Sequence, residues 1–192
     1  MTRIRKFLIL LCTIALMTAV ALAQDVSQKK TSKKKTKTDA AVSLESASAK
    51  EIAWLPFDSG LAKAKAESKA VVVDFFTTWC GWCKKMDATT FRDSTVVAAF
   101  NKNFIGVRVN GDATSAFVTL EGEKMSERQL TQTFAVRGFP TYWFLDSDGK
   151  KIGPVSGYQA ASNFMSLLRY VGESHYKTMS YDNYVKKETG KG

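Results

Sequence analysis

The chain has 192 residues and a formal net charge of +10, and it contains three cysteines, four tryptophans and one histidine. This length suits one ordinary domain with additional terminal segments. The charge is uneven: residues 1–23 carry +3, residues 24–50 carry +4, and the rest of the chain carries only +3. A nucleic-acid-binding domain is expected to combine a basic face with interleaved aromatic residues. The weak charge after residue 50 therefore argues against nucleic acid as a partner.

The first 23 residues show the features of a secretory signal peptide. A positive segment, residues 1–6, precedes the apolar run Phe7–Val20 and the small-x-small sequence Ala21-Leu22-Ala23. We predict cleavage after this last alanine. The alternative is an uncleaved N-terminal anchor, because the apolar stretch reaches the short limit of a spanning helix. Either outcome predicts a periplasmic or secreted domain, with membrane anchoring in the second case.

Residues 24–50 are rich in Lys, Ser, Thr and Ala and contain no aromatic residue. Such a segment buries too little apolar surface to fold, so we expect a disordered linker. Its simplest role is a solvated tether. A second interpretation is weak contact with a membrane surface, since each lysine near anionic headgroups contributes roughly 1 kcal/mol.

A folded domain is predicted over residues 51–172. Asp58 or Ser59 can cap the first helix, and Asp93 or Ser94 the third. The early elements, in order, are a helix through Leu61–Glu67, a buried strand Val71–Phe76, a helix opened by Cys80-Gly81-Trp82-Cys83, a helix over Val96–Phe100 and a strand Phe104–Val109.

The second half of the domain begins with residues 111–124, which show no clean period and are expected to form a loop or irregular insertion. Ser126 and Gln129 form a capping box that opens a helix through Phe134. The remaining elements are a strand Thr141–Leu145, a hairpin turn Asp146–Gly149, an edge strand over 150–156 containing Pro154, a helix Ala160–Tyr170 and a polar tail, 173–192, docked or frayed. The order β, α, β, α, β, β, α predicts an α/β domain: a small mixed sheet with helices on both faces.

Two cysteines lie three residues apart where a strand meets a helix. Cys80 is placed at the helix N-terminus, where free N–H groups and the helix dipole favour a thiolate. Cys83 follows one turn later, within disulfide reach. This position indicates a redox motif. The alternatives are a purely structural disulfide or half of a zinc site, but such a site requires four ligands and only one histidine exists. We therefore predict no metal and no cofactor.

Three segments in this order and spacing resemble the thioredoxin superfamily: Val73-Asp74-Phe75, Trp79-Cys80-Gly81-Trp82-Cys83-Lys84 and Arg137-Gly138-Phe139-Pro140-Thr141. The resemblance covers about residues 52–171. It is closer to the extracytoplasmic thioredoxin-like domain of transmembrane thiol:disulfide interchange proteins and their stand-alone relatives, through Cys83-Lys84-Lys85-Met86, the break at Thr90–Asp93 and the long segment before Arg137. It implies a thioredoxin fold and thiol–disulfide exchange.

The resemblance also implies roles for three residues. Cys80, as the more exposed thiol, attacks a substrate disulfide, and buried Cys83 resolves the mixed disulfide. Asp74 matches the family's buried carboxylate, which takes the proton of Cys83. Its apolar neighbours argue against the alternative of an exposed strand residue, and burial should raise its pKa. The lysine often found near this carboxylate in the family is replaced around Gly106, so the resemblance does not define the route of the proton to and from Asp74.

Five further residues are candidates for substrate binding. Pro140 resembles the family's cis-proline facing the dithiol; a trans-proline that starts a strand is the alternative. Trp79 and Trp82 bracket the first cysteine as a candidate substrate platform, although Trp79 could equally serve packing. Phe139 and Thr141 flank the proline and are expected to shape the same groove.

The leading functional hypothesis is an extracytoplasmic thiol–disulfide oxidoreductase that reduces disulfide-containing proteins and receives electrons from a membrane donor. A disulfide oxidase or isomerase is the alternative among enzymes. A thioredoxin-fold binding or chaperone module with an incidental dithiol is the alternative from another class. A copper-delivery protein would require a histidine near the thiols, and the only candidate, His175, lies in the tail.

Overall fold

The computed structural model describes residues 51–190, so the predicted signal peptide and linker lie outside the described residues. The strands are β1 (Trp54–Leu55), β2 (Ala70–Phe76), β3 (Phe104–Asn110), β4 (Phe117–Leu120), β5 (Glu123–Ser126), β6 (Thr141–Leu145) and β7 (Lys151–Ser156). The helices are α1 (Phe57–Glu67), α2 (Gly81–Ala88), α3 (Ser94–Asn103), α4 (Glu127–Thr133), α5 (Ala161–Gly172) and α6 (Tyr181–Glu188), with single 3-10 turns at Thr90–Arg92 and His175–Lys177.

Strand β2 is the centre of a five-stranded sheet with the order β1-β3-β2-β6-β7. It runs parallel to β3 and antiparallel to β6. Its side chains alternate between two apolar layers: Val72 packs with α2, α3 and α5, while Val71 and Val73 pack with α1 and α4. All three valines are fully buried, which is why this strand reads as a continuous apolar run. The predicted mixed sheet with helices on both faces is confirmed.

Several local predictions are confirmed by hydrogen bonds. Ser126 and Gln129 make the reciprocal capping box that starts α4. Asp93 caps α3 by accepting the backbone N–H groups of Thr95 and Val96. Among the described strands β7 pairs with β6 alone, so it lies at the edge of the sheet, where Pro154 is tolerated.

The predicted cap of the first helix is wrong. α1 begins at Phe57, directly after Pro56, and neither Asp58 nor Ser59 caps it. Burying the Phe57 side chain in the core draws this residue into the helix. The Asp58 carboxylate instead accepts a hydrogen bond of 2.8 Å from the backbone N–H of Thr119, which lies in β4.

The expectation of a loop or irregular insertion over 111–124 is wrong for residues 117–124, because β4 and β5 form a two-stranded hairpin there, whereas residues 111–116 consist of turns and bends. The turn residues Glu121 and Gly122 both have positive φ, the conformation of the tight turns that suit hairpins. Val118 is buried against the α1 side of the sheet, so the hairpin is packed onto the domain. Strands of only four residues give too little alternation to be recognised in the sequence.

The C-terminal segment folds onto the domain and does not fray over the described residues. Tyr184 of α6 is 3% exposed, and its ring centroid lies 5.4 Å from that of Tyr170 in α5. The Tyr170 hydroxyl donates a 2.8 Å hydrogen bond to the carbonyl of Met179. No helix within residues 51–190 combines the length and the apolar character needed to cross a membrane.

Replacing Tyr184 with Ala should lower the free energy of unfolding by about 2–4 kcal/mol, because a large buried ring leaves a cavity behind. Urea unfolding of the full chain provides the measurement. Lys187→Ala, on the exposed side of the same helix, is the matched control and should change stability by less than about 0.5 kcal/mol. Equal effects of the two variants would show that α6 does not stabilise the domain.

Candidate active site

The two predicted cysteines form a disulfide at the start of α2. The Sγ atoms of Cys80 and Cys83 are 2.06 Å apart and their Cα atoms are 5.3 Å apart. Cys80 is the N-cap residue, and its sulfur accepts a 3.0 Å hydrogen bond from the backbone N–H of Cys83. After reduction, the same N–H group and the helix dipole would stabilise a Cys80 thiolate. The predicted pairing is therefore confirmed.

The expected difference in exposure between the two thiols is wrong for this disulfide state. Cys80 is 4% exposed and Cys83 is 5% exposed. The disulfide and the N–H···S hydrogen bond hold the Cys80 sulfur against the first turn of α2, so both cysteines are enclosed together.

The two tryptophans beside the disulfide are both exposed, Trp79 by 67% and Trp82 by 56%. The Trp79 indole Nε1–H donates a 2.6 Å hydrogen bond to Oδ2 of Asp112, and its ring contacts Phe139 edge to face. Asp112 precedes the β4–β5 hairpin. The high exposure of Trp79 fits a substrate platform better than packing in the core.

Trp82 belongs to a second aromatic group on the other flank. Its ring centroid lies 5.7 Å from that of Tyr158, and the Lys85 Nζ lies 4.8 Å from both centroids. Hydrogen bonding to Thr89 lowers the pKa of the Tyr158 hydroxyl, and the nearby Lys85 ammonium contributes in the same direction. Tyr158 was not among the residues predicted from the sequence.

The loop before β6 has a cis Phe139–Pro140 peptide bond, as the resemblance implies. Phe139 is half-buried, and its ring lies against Gly111: a Cβ built on that glycine would approach the ring to 2.4 Å. Thr141 is buried, and its hydroxyl donates to the carbonyl of Gly138 and contacts the Ser156 hydroxyl. Its side chain therefore braces the loop from the inside, and its part in shaping a substrate groove stays a prediction.

Asp74 is 2% exposed, so the predicted burial is confirmed. Its Oδ2 accepts a 3.0 Å hydrogen bond from Nε of Arg108, while Oδ1 has no hydrogen-bond partner among the described residues. Burial raises the pKa of Asp74 to about 6, against the opposing effect of the Arg108 charge. The cation near this carboxylate is thus an arginine directly opposite Asp74 on β3, two residues after Gly106.

Arg108 also links this carboxylate to the helix that carries the disulfide. Its second guanidinium nitrogen donates to Oδ1 of Asp87 in α2. The guanidinium lies 4.7 Å from the ring centroid of Trp54 and 5.3 Å from that of Phe76. Both Arg108 and Asp87 were missed in the sequence. A single arginine in the otherwise apolar strand Phe104–Val109 was the available signal for the first.

Tyr142 continues the polar row across the sheet. It lies opposite Asp74 on β6, is fully buried, and its hydroxyl has no hydrogen-bond partner within residues 51–190. Burial, with the nearby Asp74 charge, raises the pKa of this hydroxyl. Directly opposite residues share a face of the sheet, so Arg108, Asp74 and Tyr142 form one row on the α2 side. We call this set the buried polar row.

The model of the thioredoxin-like domain family matches residues 57–172, more than half of the chain. The chain therefore belongs to the thioredoxin-like family. A disulfide between cysteines three residues apart at a strand–helix junction is the arrangement by which such a fold exchanges thiols and disulfides.

The curated relatives include thiol:disulfide interchange protein DsbD of Pseudoalteromonas atlantica, which is 32% identical over 118 residues, 60% of this chain and 18% of the relative. DsbD of Photorhabdus laumondii is 30% identical over 105 residues, 54% of this chain and 16% of the relative. The chain thus spans less than a fifth of the length of these relatives. Among solved structures, a thioredoxin from Thermus thermophilus superposes with a TM-score of 0.52 at 27% identity, covering 63% of this chain and 87% of that one.

The elevated pKa of Asp74 predicts a specific pH dependence of stability. The folded state binds a proton at Asp74 more tightly than the unfolded state does. The stabilisation that this proton provides is fully present below pH 3.8, the pKa of Asp74 in the unfolded chain. It is lost as the pH rises through about 6, the pKa of Asp74 in the folded chain. The free energy of unfolding of Asp74→Asn minus that of wild type should therefore rise by about 2–3 kcal/mol between pH 4 and pH 7.5.

Urea unfolding at several pH values measures this difference. Asp112→Asn, the same substitution at an exposed aspartate, is the control for the chemical change itself. A difference between Asp74→Asn and wild type that stays constant or falls as the pH rises would contradict the raised pKa.

Proposed function

We propose that this protein is an extracytoplasmic thiol–disulfide oxidoreductase that reduces disulfides of other proteins. The observation that carries the proposal is the Cys80–Cys83 disulfide at the N-terminus of α2, flanked by two exposed tryptophans and connected to buried Asp74 through Arg108 and Asp87. The match to the thioredoxin-like family and to DsbD supports the same chemistry.

The proposed reaction proceeds in two exchanges. The Cys80 thiolate attacks one sulfur of a substrate disulfide, which forms a mixed disulfide and releases the first substrate thiolate. Cys83 then loses its proton, attacks the Cys80 sulfur and releases the second thiolate. Two electrons pass from the dithiol to the substrate, and the protein ends as the disulfide. We assign Asp74 as the acceptor of the Cys83 proton, because a carboxylate with a pKa of about 6 can exchange protons near neutral pH.

Substrate binding is assigned to the exposed surface around Cys80. Trp79, Trp82 and Phe139 present aromatic surface to a partner there, and Pro140 holds the backbone of the neighbouring loop. Thr141 contributes indirectly, through its hydrogen bonds within that loop.

We assign residues 1–23 as a signal peptide or anchor, 24–50 as a linker, 51–172 as the catalytic domain and 173–192 as an extension of it. Such a protein would work outside the cytoplasm, where disulfides persist, and would therefore need a supply of electrons. We propose a membrane protein of the thiol:disulfide interchange type as this donor; the name of the relatives, thiol:disulfide interchange protein, supports exchange of thiols and disulfides with a partner.

Replacing Cys80 with Ser should abolish both reduction of insulin by a dithiol donor and formation of mixed disulfides. Replacing Cys83 with Ser should preserve the attack but block release, so that mixed disulfides accumulate through Cys80. Non-reducing electrophoresis with insulin as the probe separates these outcomes. Insulin reduction that survives in Cys80→Ser would refute the assignment, and wild type without any turnover would favour a binding or chaperone module.

The direction of electron flow can be tested through the redox potential. Between the two cysteines, Gly81 and Trp82 bring no charge that could stabilise the Cys80 thiolate. The pKa of the reduced Cys80 thiol should therefore fall only moderately below that of an ordinary thiol, through the helix dipole alone. We expect a potential of roughly −200 to −270 mV on equilibration with glutathione. A potential near −120 mV, typical of a strong oxidant, would favour the oxidase alternative.

A further inference from the structure

The charged residues around the disulfide divide into two groups. The acidic ones have hydrogen-bond donors within the chain: Asp74 and Asp87 share Arg108, and the Asp112 carboxylate accepts the neutral Trp79 indole N–H. The basic ones follow the second cysteine on α2; they are Lys84 and Lys85, which are exposed and make no ion pair with a carboxylate within the part of the chain that the structure describes. The ammonium groups of these two lysines are therefore available to a carboxylate of a partner.

Lys85 differs from Lys84 because its ammonium contacts two aromatic rings. Its ammonium lies 4.8 Å from the ring centroids of both Trp82 and Tyr158, close enough for cation–π attraction to each ring. We call these three residues the lysine–aromatic cluster. Trp82 stands between the two cysteines, so the cluster lies next to the reacting sulfur atoms.

Hydrogen bonds hold Tyr158 and its neighbour in place. The Tyr158 hydroxyl shares a 3.3 Å hydrogen bond with the Thr89 hydroxyl at the end of α2. The adjacent Gln159 donates its backbone N–H to the sulfur of buried Met86, and its carbonyl accepts the Thr90 hydroxyl at 2.6 Å. The Lys85 ammonium is thus held in place before any partner arrives, which reduces the entropy cost of using it.

We propose that the lysine–aromatic cluster binds an acidic side chain next to the reactive disulfide of a partner protein, so that this chain selects partners with acidic surroundings at that disulfide. The inference rests on the proposed function and adds the class of partner. A carboxylate on the partner would pair with the Lys85 ammonium and contact the faces of the two rings. Lys84, which directly follows the second cysteine, adds positive potential that steers an acidic partner toward the dithiol.

Three small disulfides of matched length test this charge preference. They are 3,3′-dithiodipropionate, which is anionic, bis(2-hydroxyethyl) disulfide, which is neutral, and cystamine, which is cationic. The full chain is reduced with dithiothreitol, desalted and mixed with each disulfide under single-turnover conditions. Acid quenching, alkylation and mass measurement then follow the loss of the dithiol. Each charged probe's rate is divided by the rate with the neutral probe.

Dividing by the neutral rate removes any effect of a variant on the thiol chemistry itself. Comparison of each variant with wild type removes the different intrinsic reactivities of the three disulfides. Lys85→Gln should lower the anionic-to-neutral ratio about 3-fold and Lys85→Glu about 10-fold, as expected for one exposed charge pair. Both variants should raise the cationic-to-neutral ratio. Lys85→Arg keeps the charge and the ring contacts, so it should retain the wild-type ratios.

Lys102→Gln provides the matched control. Lys102 is exposed at the end of α3, before the start of β3, whereas the disulfide follows the opposite end of the parallel strand β2. Seven residues of strand place it about 20 Å away, beyond the screening length of about 8 Å at 0.15 M salt. Its ratios should match those of wild type.

The outcomes separate the two proposals. Unchanged ratios in Lys85→Gln and Lys85→Glu, with normal reduction of the neutral disulfide, would overturn the acidic preference and leave the oxidoreductase function in place. Equal changes in Lys85→Gln and Lys102→Gln would also overturn it, since the effect would then follow net charge. Failure of wild type to reduce any of the three disulfides would overturn the proposed function. A fall in the anionic-to-neutral ratio in Lys85→Gln that does not occur in Lys85→Arg would support the inference.

Discussion

The ion pair between Asp74 and Arg108 is the interaction on which the arrangement of this site depends. Asp74 lies on the central strand, in a layer that is otherwise apolar, where an unpaired carboxylate would be strongly disfavoured. Arg108 stabilises it from the neighbouring strand and at the same time binds Asp87 on the helix that carries the disulfide. One guanidinium therefore connects the middle of the sheet to the reactive helix. Removing Arg108 would leave the buried Asp74 carboxylate without its cation, which is the change that makes breaking a buried ion pair costly.

The compensation by Arg108 is incomplete, and this gives Asp74 its chemical character. A fully compensated carboxylate would have a pKa below its ordinary value, whereas burial here raises the pKa to about 6. The reason is visible in the contacts: only Oδ2 meets the guanidinium, and the Arg108 charge is shared with Asp87. Asp74 can thus change its protonation state near neutral pH. The Tyr142 hydroxyl beside it, which has no hydrogen-bond partner among residues 51–190, extends the buried polar row without adding a charge.

The parts of the structure that were predicted from the sequence are those encoded by contiguous residues. The Cys80–Cys83 pair, the capping box at Ser126 and the buried run around Asp74 each carry their signal within a few positions. The residues that were missed act across the sheet: Arg108 and Tyr142 reach Asp74 only through strand pairing. The β4–β5 hairpin was missed for a different reason, since its strands are too short to show a period. The equal burial of the two cysteines is a property of the closed disulfide, which spacing alone does not report.

The two flanks of the disulfide are built in different ways, and this difference gives the site its polarity. On one flank, the Asp112 carboxylate accepts the Trp79 indole N–H, which fixes its position and leaves its charge in place, and the β4–β5 hairpin follows it in the chain. On the other flank, Lys85 is held by aromatic rings, which fix its position without cancelling its charge. Cation–π contact leaves the ammonium able to pair with an outside carboxylate, whereas a salt bridge within the chain would have used that capacity. The positive charge of Lys85 is therefore available to a partner on the flank where Trp82 lies, and the negative charge of Asp112 lies on the flank of Trp79.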